Sequence, residues 1–246
     1  FIMPGRAPNC TPSETQVDLG SGAGAAGLEA RIAALEIQVP DCLSAPEEHL
    51  ALFSGCNVQI VNGEGDTETT NELGNLIVGY NENEFGASRS GSHNLVVGDH
   101  HEYSSFGGFV AGVANTIVGQ YASVSGGEGN TASGDHASVS GGYGNIASAN
   151  HASVSGGFDN VASGLGGSSV SGGNLNVASG PYASVSGGVR NTASDWYSSV
   201  SGGIENVASQ FYASVSGGSN NEASGAAASV GGGNGQIASG AYQFLP

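Results

Sequence analysis

The amino-acid sequence predicts an all-β fold, a trimeric parallel β-solenoid of fifteen-residue coils, preceded by a short coiled-coil helix. Three observations lead there. A phrase close to Ala-Ser-Val-Ser-Gly-Gly returns from residue 121 onward and sets its valine at Val124, Val139, Val154, Val170, Val185, Val200, Val215 and Val230. Gly makes up 44 of 246 residues, more than twice its usual share of about 7%, so backbone and small side chains dominate. Upstream, between residues 23 and 39, the apolar residues switch to a helical period.

The valines lie fifteen residues apart, with one interval of sixteen between Val154 and Val170. A second phrase, Asn-x-Ala-Ser, keeps the same step at Asn130, Asn145, Asn160, Asn176, Asn191, Asn206 and Asn221, with Gln236 in the last copy. Such a unit is too short for a helix pair and too rich in Gly, Ser and Val for one helix. Two short strands and two turns fill it. Ala122-Ser123-Val124-Ser125 alternates apolar and hydroxyl side chains as a strand does, and Gly126-Gly127 makes a corner. Residues 130–133 form the second strand and Gly134 the second corner. Coils stacked at about 4.8 Å then build a solenoid. Val124 and Ala132, with their equivalents, are the expected inward pair. Asn130 and its copies are expected to stack as a ladder bonded to the corner backbone or to the next Asn. The extra residue falls in Gly164-Leu165-Gly166-Gly167, where a bulge of Gly166 or Gly167 keeps Val170 in register. So narrow a coil buries little apolar surface by itself. Residues such as Ile146, Val161 and Val177, each next to an Asn, suit a face covered by another chain.

Repeats of the form Ser-Val-Ser-Gly-Gly-x-x-Asn-x-Ala-Ser-Gly resemble the head repeats of trimeric autotransporter adhesins, closely over residues 121–240 and loosely over 73–120. The resemblance implies a left-handed parallel β-roll with three rolls packed around one axis. The phrases Cys56-Asn57-Val58-Gln59-Ile60-Val61-Asn62-Gly63, Gly74-Asn75-Leu76-Ile77-Val78-Gly79 and Gly91-Ser92-His93-Asn94-Leu95-Val96-Val97-Gly98 are similar to an uncharacterised group of bacterial exported proteins that join a coiled coil to such repeats.

Residues 1–22 carry Pro4, Pro8 and Pro12 and read as an extended arm tipped by Phe1, Ile2 and Met3. Over residues 23–40, Ala25, Leu28, Ile32, Leu35 and Val39 fall at the alternating steps of three and four that make a coiled-coil seam. Arg31-Ile32-Ala33-Ala34-Leu35-Glu36 is similar to a pattern of short trimeric coiled coils, in which the arginine reaches the glutamate of a neighbour. The trimerisation set is therefore Leu28, Arg31, Ile32, Leu35 and Glu36. Residues 41–72 are read as a β connector stapled by a Cys42–Cys56 disulfide, a spacing that fits one bridge better than zinc. Cys10 is then left for a contact between chains. Residues 73–120 are read as irregular coils with short strands near 76–78, 95–97, 109–111 and 116–118, preceded by one at 57–60, and residues 121–246 as the regular roll.

Charge excludes several functions. Lysine is absent, and Arg6, Arg31, Arg89 and Arg190 face 21 carboxylates for a net charge of −17. Nucleic acid and anionic lipid need Lys or Arg to displace counterions, and lysine chemistry such as a Schiff base is ruled out. No stretch reaches membrane-spanning length. Neither H-E-x-x-H nor G-x-S-x-G occurs, so no catalysis and no cofactor are expected. His93, Asp99, His100, His101 and Glu102 are the densest group of metal-ligand types, but adjacent histidines do not share a strand face, and the group reads as a solvated loop. One column holds Tyr121, His136, His151, Tyr182, Tyr197, Tyr212 and Tyr242, a stripe of stacked rings open to a sugar or a partner. Phe244 and Leu245 form an apolar tail that, with Phe1, Ile2, Met3 and Cys10, is a candidate contact between molecules.

The expected function is a structural or adhesive extracellular or cell-surface fibre subunit, a homotrimer assembling head to tail, with a host or environmental glycan as a possible partner. The rival expectations are a phage tail-fibre or spike protein and a non-polymerising adhesin head.

Overall fold

The computed structural model describes residues 43–83 and 86–246, which fall into two compact units divided between Gln59 and Ile60. The arm, the coiled-coil seam, Cys10 and Cys42 lie outside the described residues. In the first unit Leu43–Ser44 pairs antiparallel with Leu52–Phe53. The strand expected at 57–60 is absent; those residues are irregular and exposed, because too few neighbouring strands flank them to pair their backbone.

The second unit is a parallel β-solenoid. From Leu95–Asp99 onward successive strands alternate between two sheets, one of twelve strands and one of ten. The valine sheet runs from Leu76–Val78 through Leu95–Asp99, Phe109–Val113 and Ser123–Val124 to Phe244–Leu245. The alanine sheet runs from Glu102–Tyr103 through Thr116–Ile117 and Thr131–Ala132 to Ile237–Ala238. Pairing is one repeat apart throughout, so Val124 faces Val139 and Ala132 faces Ala147. The long interval leaves this register intact: Val154 pairs with Val170, and Val170 is buried. Tyr182 N–H donates to Leu165 O as Tyr197 N–H donates to Pro181 O, which places Gly166 in the tyrosine column and makes Gly167 the extra residue.

One detail of the coil differs from the sequence expectation. A third ladder of single bridges joins Val113, Glu128, Tyr143, Phe158, Asn174, Val189, Ile204, Ser219 and Asn234, so the coil has three ladders and not two. Gly134 is not the left-handed residue of its corner; His136 is, with φ 58°. Gly134 is glycine for space, since a Cβ there would run into the Ala149 carbonyl of the next coil.

The core is four side chains per coil. Val124 and Ala132 point inward as expected, and Ala122 and Asn130 join them, all fully buried. Ser168 and Ser198 take the Ala122 position in their coils and are buried too. The cross-section accepts exchange of volume between facing columns, as close packing requires. Where the alanine column carries the larger Ile117, the facing position is Gly108, whose absent Cβ leaves room for the Ile117 Cδ1. Two Ala face each other in the next coil, at Ala122 and Ala132.

Candidate functional site

The surface that the solenoid offers is a set of columns, because each outward position repeats in the coil above. Three of them carry chemistry.

The first is internal and structural. Asn145 shows its pattern: its N–H donates to Asn130 Oδ1 at 2.9 Å, and its Nδ2 donates to Gly141 O at 2.9 Å and to Gly157 O at 3.0 Å. Each Asn thus ties its own corner to both neighbouring coils, and the run ends where Gln236 N–H donates to Asn221 Oδ1. The side chain bonds both the corner backbone and the next Asn, so the two alternatives left open by the sequence are both realised.

His101 is a rung of this ladder, which corrects its reading as part of a solvated loop. It has no exposed surface. Its N–H donates to Asn81 Oδ1 at 2.8 Å, its Nδ1 accepts the Asn115 N–H at 3.2 Å, and its Nε2–H donates to Val97 O at 3.0 Å. These bonds copy those of an Asn: one acceptor toward the next coil and one donor toward the carbonyl four residues back. They also require neutral imidazole with the proton on Nε2. Burial holds the His101 pKa below the ordinary histidine value, the bonds to Val97 and Asn115 and the nearby Asp99 charge opposing it less strongly. The neighbouring side chains diverge. His100 Nδ1 meets Asp99 Oδ1 at 2.8 Å. His93 instead clasps the preceding loop, accepting the Asn62 N–H on Nε2 and donating from Nδ1 to Thr67 O, both at 3.1 Å. Among the described residues no three His, Cys, Asp or Glu side chains come together as a metal-ion site.

The second column is the ring stripe. Tyr121, His136 and His151 stack face to face at 5.3 and 5.1 Å, and Tyr182, Tyr197 and Tyr212 at 5.0 Å. Between the two runs sits Gly166, and the Tyr182 ring occupies the space where a Gly166 side chain would start. Every ring residue of the stripe is left-handed, with φ between 55° and 62°, a conformation that costs an L-residue about 1 kcal/mol. Stacking offsets that cost.

The third column, at the outer tip of the same turn, escaped the sequence reading. It runs Gln120, Asp135, Asn150 and then Leu165, Pro181, Trp196, Phe211. The first half is a polar ladder: Gln120 N–H donates to Asp135 Oδ1 at 3.0 Å and Asp135 N–H to Asn150 Oδ1 at 3.1 Å. The second half is apolar, with Leu165 68%, Trp196 48% and Phe211 46% exposed. Period-fifteen alignment of the residue before each ring would have revealed the switch.

At the last described coil, Gly240 N–H donates to Gln243 Oε1 at 2.8 Å. This side chain takes the place of the next coil's carbonyl, such as the Ala238 oxygen that accepts from Gly225 N–H. Phe244–Leu245 adds a final strand to the valine sheet, Leu245 packing on the core and Phe244 exposed. Among the described residues no helix is long and apolar enough to cross a membrane. No protein-family model and no curated protein matches the chain.

Proposed function

We propose that the chain is a non-catalytic structural or adhesive fibre subunit outside the cell or on its surface, acting as a parallel homotrimer whose solenoids associate side by side and whose trimers join end to end. The observation that carries the reading is the outward ladder on which Val113, Tyr143, Phe158, Val189 and Ile204 are all more than a third exposed, interrupted by Glu128 and Asn174. A monomeric surface seldom aligns large apolar groups in one line, and a second copy in the same register presents the same line to it. The seam of Leu28, Arg31, Ile32, Leu35 and Glu36 supports three chains, and the resemblance of the repeats over residues 121–240 to adhesin heads supports the left-handed roll. The Cys42–Cys56 bridge belongs to the same proposal, as does Cys10 as a link between chains. End-to-end growth draws support from the strand pairing: among the described residues Leu76–Val78 pairs on one side only, and a sheet edge accepts a further strand.

Equilibrium sedimentation of the whole chain tests the trimer: a mass of three chains is expected, and a stable monomer would overturn the reading. Replacing Ile204 and Val189 with Ser weakens association if that ladder is the interface. Electron microscopy of concentrated trimers is expected to show filaments one trimer wide.

A further inference from the structure

We propose that the apolar tip of the turn formed by Leu165, Pro181, Trp196 and Phe211 binds the chain of a neutral polysaccharide. This deepens the adhesive part of the reading above by naming its ligand class and site, and it does not depend on the trimer.

The argument starts from ring geometry. Tyr182, Tyr197 and Tyr212 cover each other's faces at 5.0 Å and show solvent their edges and hydroxyls. Trp196 and Phe211 are turned out of that stack. The indole is tilted 45° from Tyr182 and 52° from Tyr197, and Phe211 stands at 74° to Tyr212. Each is close to half exposed although it touches the stack. The tyrosines therefore act as a rigid backing that holds two further rings outward, with little side-chain freedom left to lose on binding. Consecutive rings repeat at the coil spacing, about 5 Å as the tyrosine stack shows, an advance comparable to one pyranose residue in an extended chain.

Size and charge select the occupant. An aromatic side chain buries roughly 150–250 Å² when fully covered, so the two half-exposed rings with free faces, Trp196 and Phe211, offer on the order of 200 Å². That is far short of the roughly 800 Å² per partner of a stable protein interface, yet enough for one or two sugar rings, whose C–H faces pack on aromatic faces. Polar groups sit between the rings as a sugar needs: the Asp195 carboxylate, whose Oδ1 accepts the Trp196 N–H at 2.7 Å, the exposed Gln210 amide and the tyrosine hydroxyls. Among the described residues no cation serves the edge. Arg190 is engaged by Glu205 at 3.2 Å, Arg89 by Glu82 O at 2.6 Å, and the whole chain carries −17. Uronic, sulfated and sialylated chains are repelled, which leaves neutral hexose and N-acetylhexosamine polymers.

The chain contains one tryptophan, so its indole fluorescence reports on this edge alone. Titration of the whole protein with cellohexaose, chitohexaose and mannohexaose is expected to give a saturable shift with at least one of them, insensitive to added salt. The double variant Trp196→Ala/Phe211→Ala, read by immobilised-glycan binding because it has no indole, should lose at least tenfold in affinity, with unchanged circular dichroism. The paired change Asp135→Ala/Asn150→Ala, in the polar half of the same tip column, should leave binding intact. Absence of any saturable signal with all three sugars, or full binding by the double variant, overturns the proposal. Dissociation of an assembled trimer by the double variant also overturns it, because the edge would then be a contact between chains. The sedimentation result for the unaltered chain separates failure of this site from failure of the trimer.

Discussion

The coils before residue 121 and those after it solve the same problem with different side chains. In the regular coils one Asn per turn bonds three backbone groups, and seven consecutive Asn from Asn130 to Asn221 do so almost without variation. In the earlier coils Asn115 already makes these three bonds, and above it the work is divided. Asn94, two columns away beside the valine sheet, donates to Ser105 O and accepts the Gly108 N–H at 2.8 Å. His101 fills the Asn position of its coil, and His93 holds the loop over residues 62–67. The difference teaches that a solenoid rung is defined by its bonds and not by its residue: any side chain with a short acceptor and a donor at the right reach will serve. It also means that the two regions respond differently to perturbation, since an amide does not titrate and an imidazole does.

The largest expected effect removes a rung from the regular region. Asn176 has no exposed surface, and its Nδ2 donates to Gly172 O and Gly188 O while its Oδ1 accepts the Asn191 N–H, all at 2.9 Å. Asn176→Leu leaves Gly172 O and the Asn191 N–H without a partner, at a cost of about 1–3 kcal/mol each, while Gly188 O keeps the Asn174 N–H. Coils interact only with their neighbours, so the stack should break in two at that coil. Urea unfolding followed by hydrogen exchange should show separate transitions for the coils on each side. One unchanged cooperative transition would mean that the ladder carries little energy.

Acid should sharpen the comparison by loosening only the early coils. The native state holds His101 neutral, with a pKa below its ordinary value. The unfolded state then binds more protons in the window between the two values, so stability falls as pH drops below about 6.5 and goes on falling until the folded pKa is reached. Asp99 on the adjoining strand, His100 and Glu102 on either side, and Arg89, whose Nε donates to the His101 carbonyl at 3.2 Å, surround the site. Hydrogen exchange at about pH 7.5 and about pH 5, corrected for intrinsic rates, should show lost protection near residues 95–117 and none beyond residue 121. His101→Asn restores both the acceptor and the donor without a titrating group. It should abolish the acid response there. An equal loss across all coils would refute the division.

Much of this molecule was legible from period alone. Eight copies of the valine fix the step, the register and the place of the extra residue, and the structure keeps Val170 paired with Val154. Repetition averages over local accidents, which is why the ladder of Asn130 and its copies and the ring stripe were both readable. The departures are single events that no period announces. His101 was unreadable as a rung because its role depends on the Asn81 side chain and the Asn115 backbone, which are twenty and fourteen residues away. The third ladder was missed because its members, from Glu128 to Ile204, share no side-chain type, only backbone pairing. Ala122 was overlooked as a core residue because alanine is too small to reveal a facing direction. The left-handed ring positions ran against the rule that glycine takes such corners, and only the stack explains why Tyr and His stand there.

The smallest effects lie on the stripe itself, where conformational cost and stacking are close to balance. Tyr197 has φ 56° and stacks on Tyr182 and Tyr212, each at 5.0 Å. Tyr197→Ala removes two ring pairs worth roughly 0.5–1.5 kcal/mol each when buried, and less here because the edge is wet, so a loss of about 1 kcal/mol is expected. Tyr197→Gly loses the same pairs but also sheds the left-handed cost of about 1 kcal/mol, and should be at least as stable as the alanine variant. The converse change uses the gap that the protein already has. Ala227 holds the same left-handed conformation, φ 53°, between Tyr212 and Tyr242 with no ring to contribute. Ala227→Tyr bears no new backbone cost, because alanine is already left-handed there, and it joins the two tyrosines into one stack. A gain of a few tenths of a kcal/mol up to about 1 kcal/mol is expected, read as a rise in the urea midpoint with an unchanged slope. If Ala227→Tyr destabilises the chain, the rings are passengers of the turn, and the backbone alone holds the stripe in place.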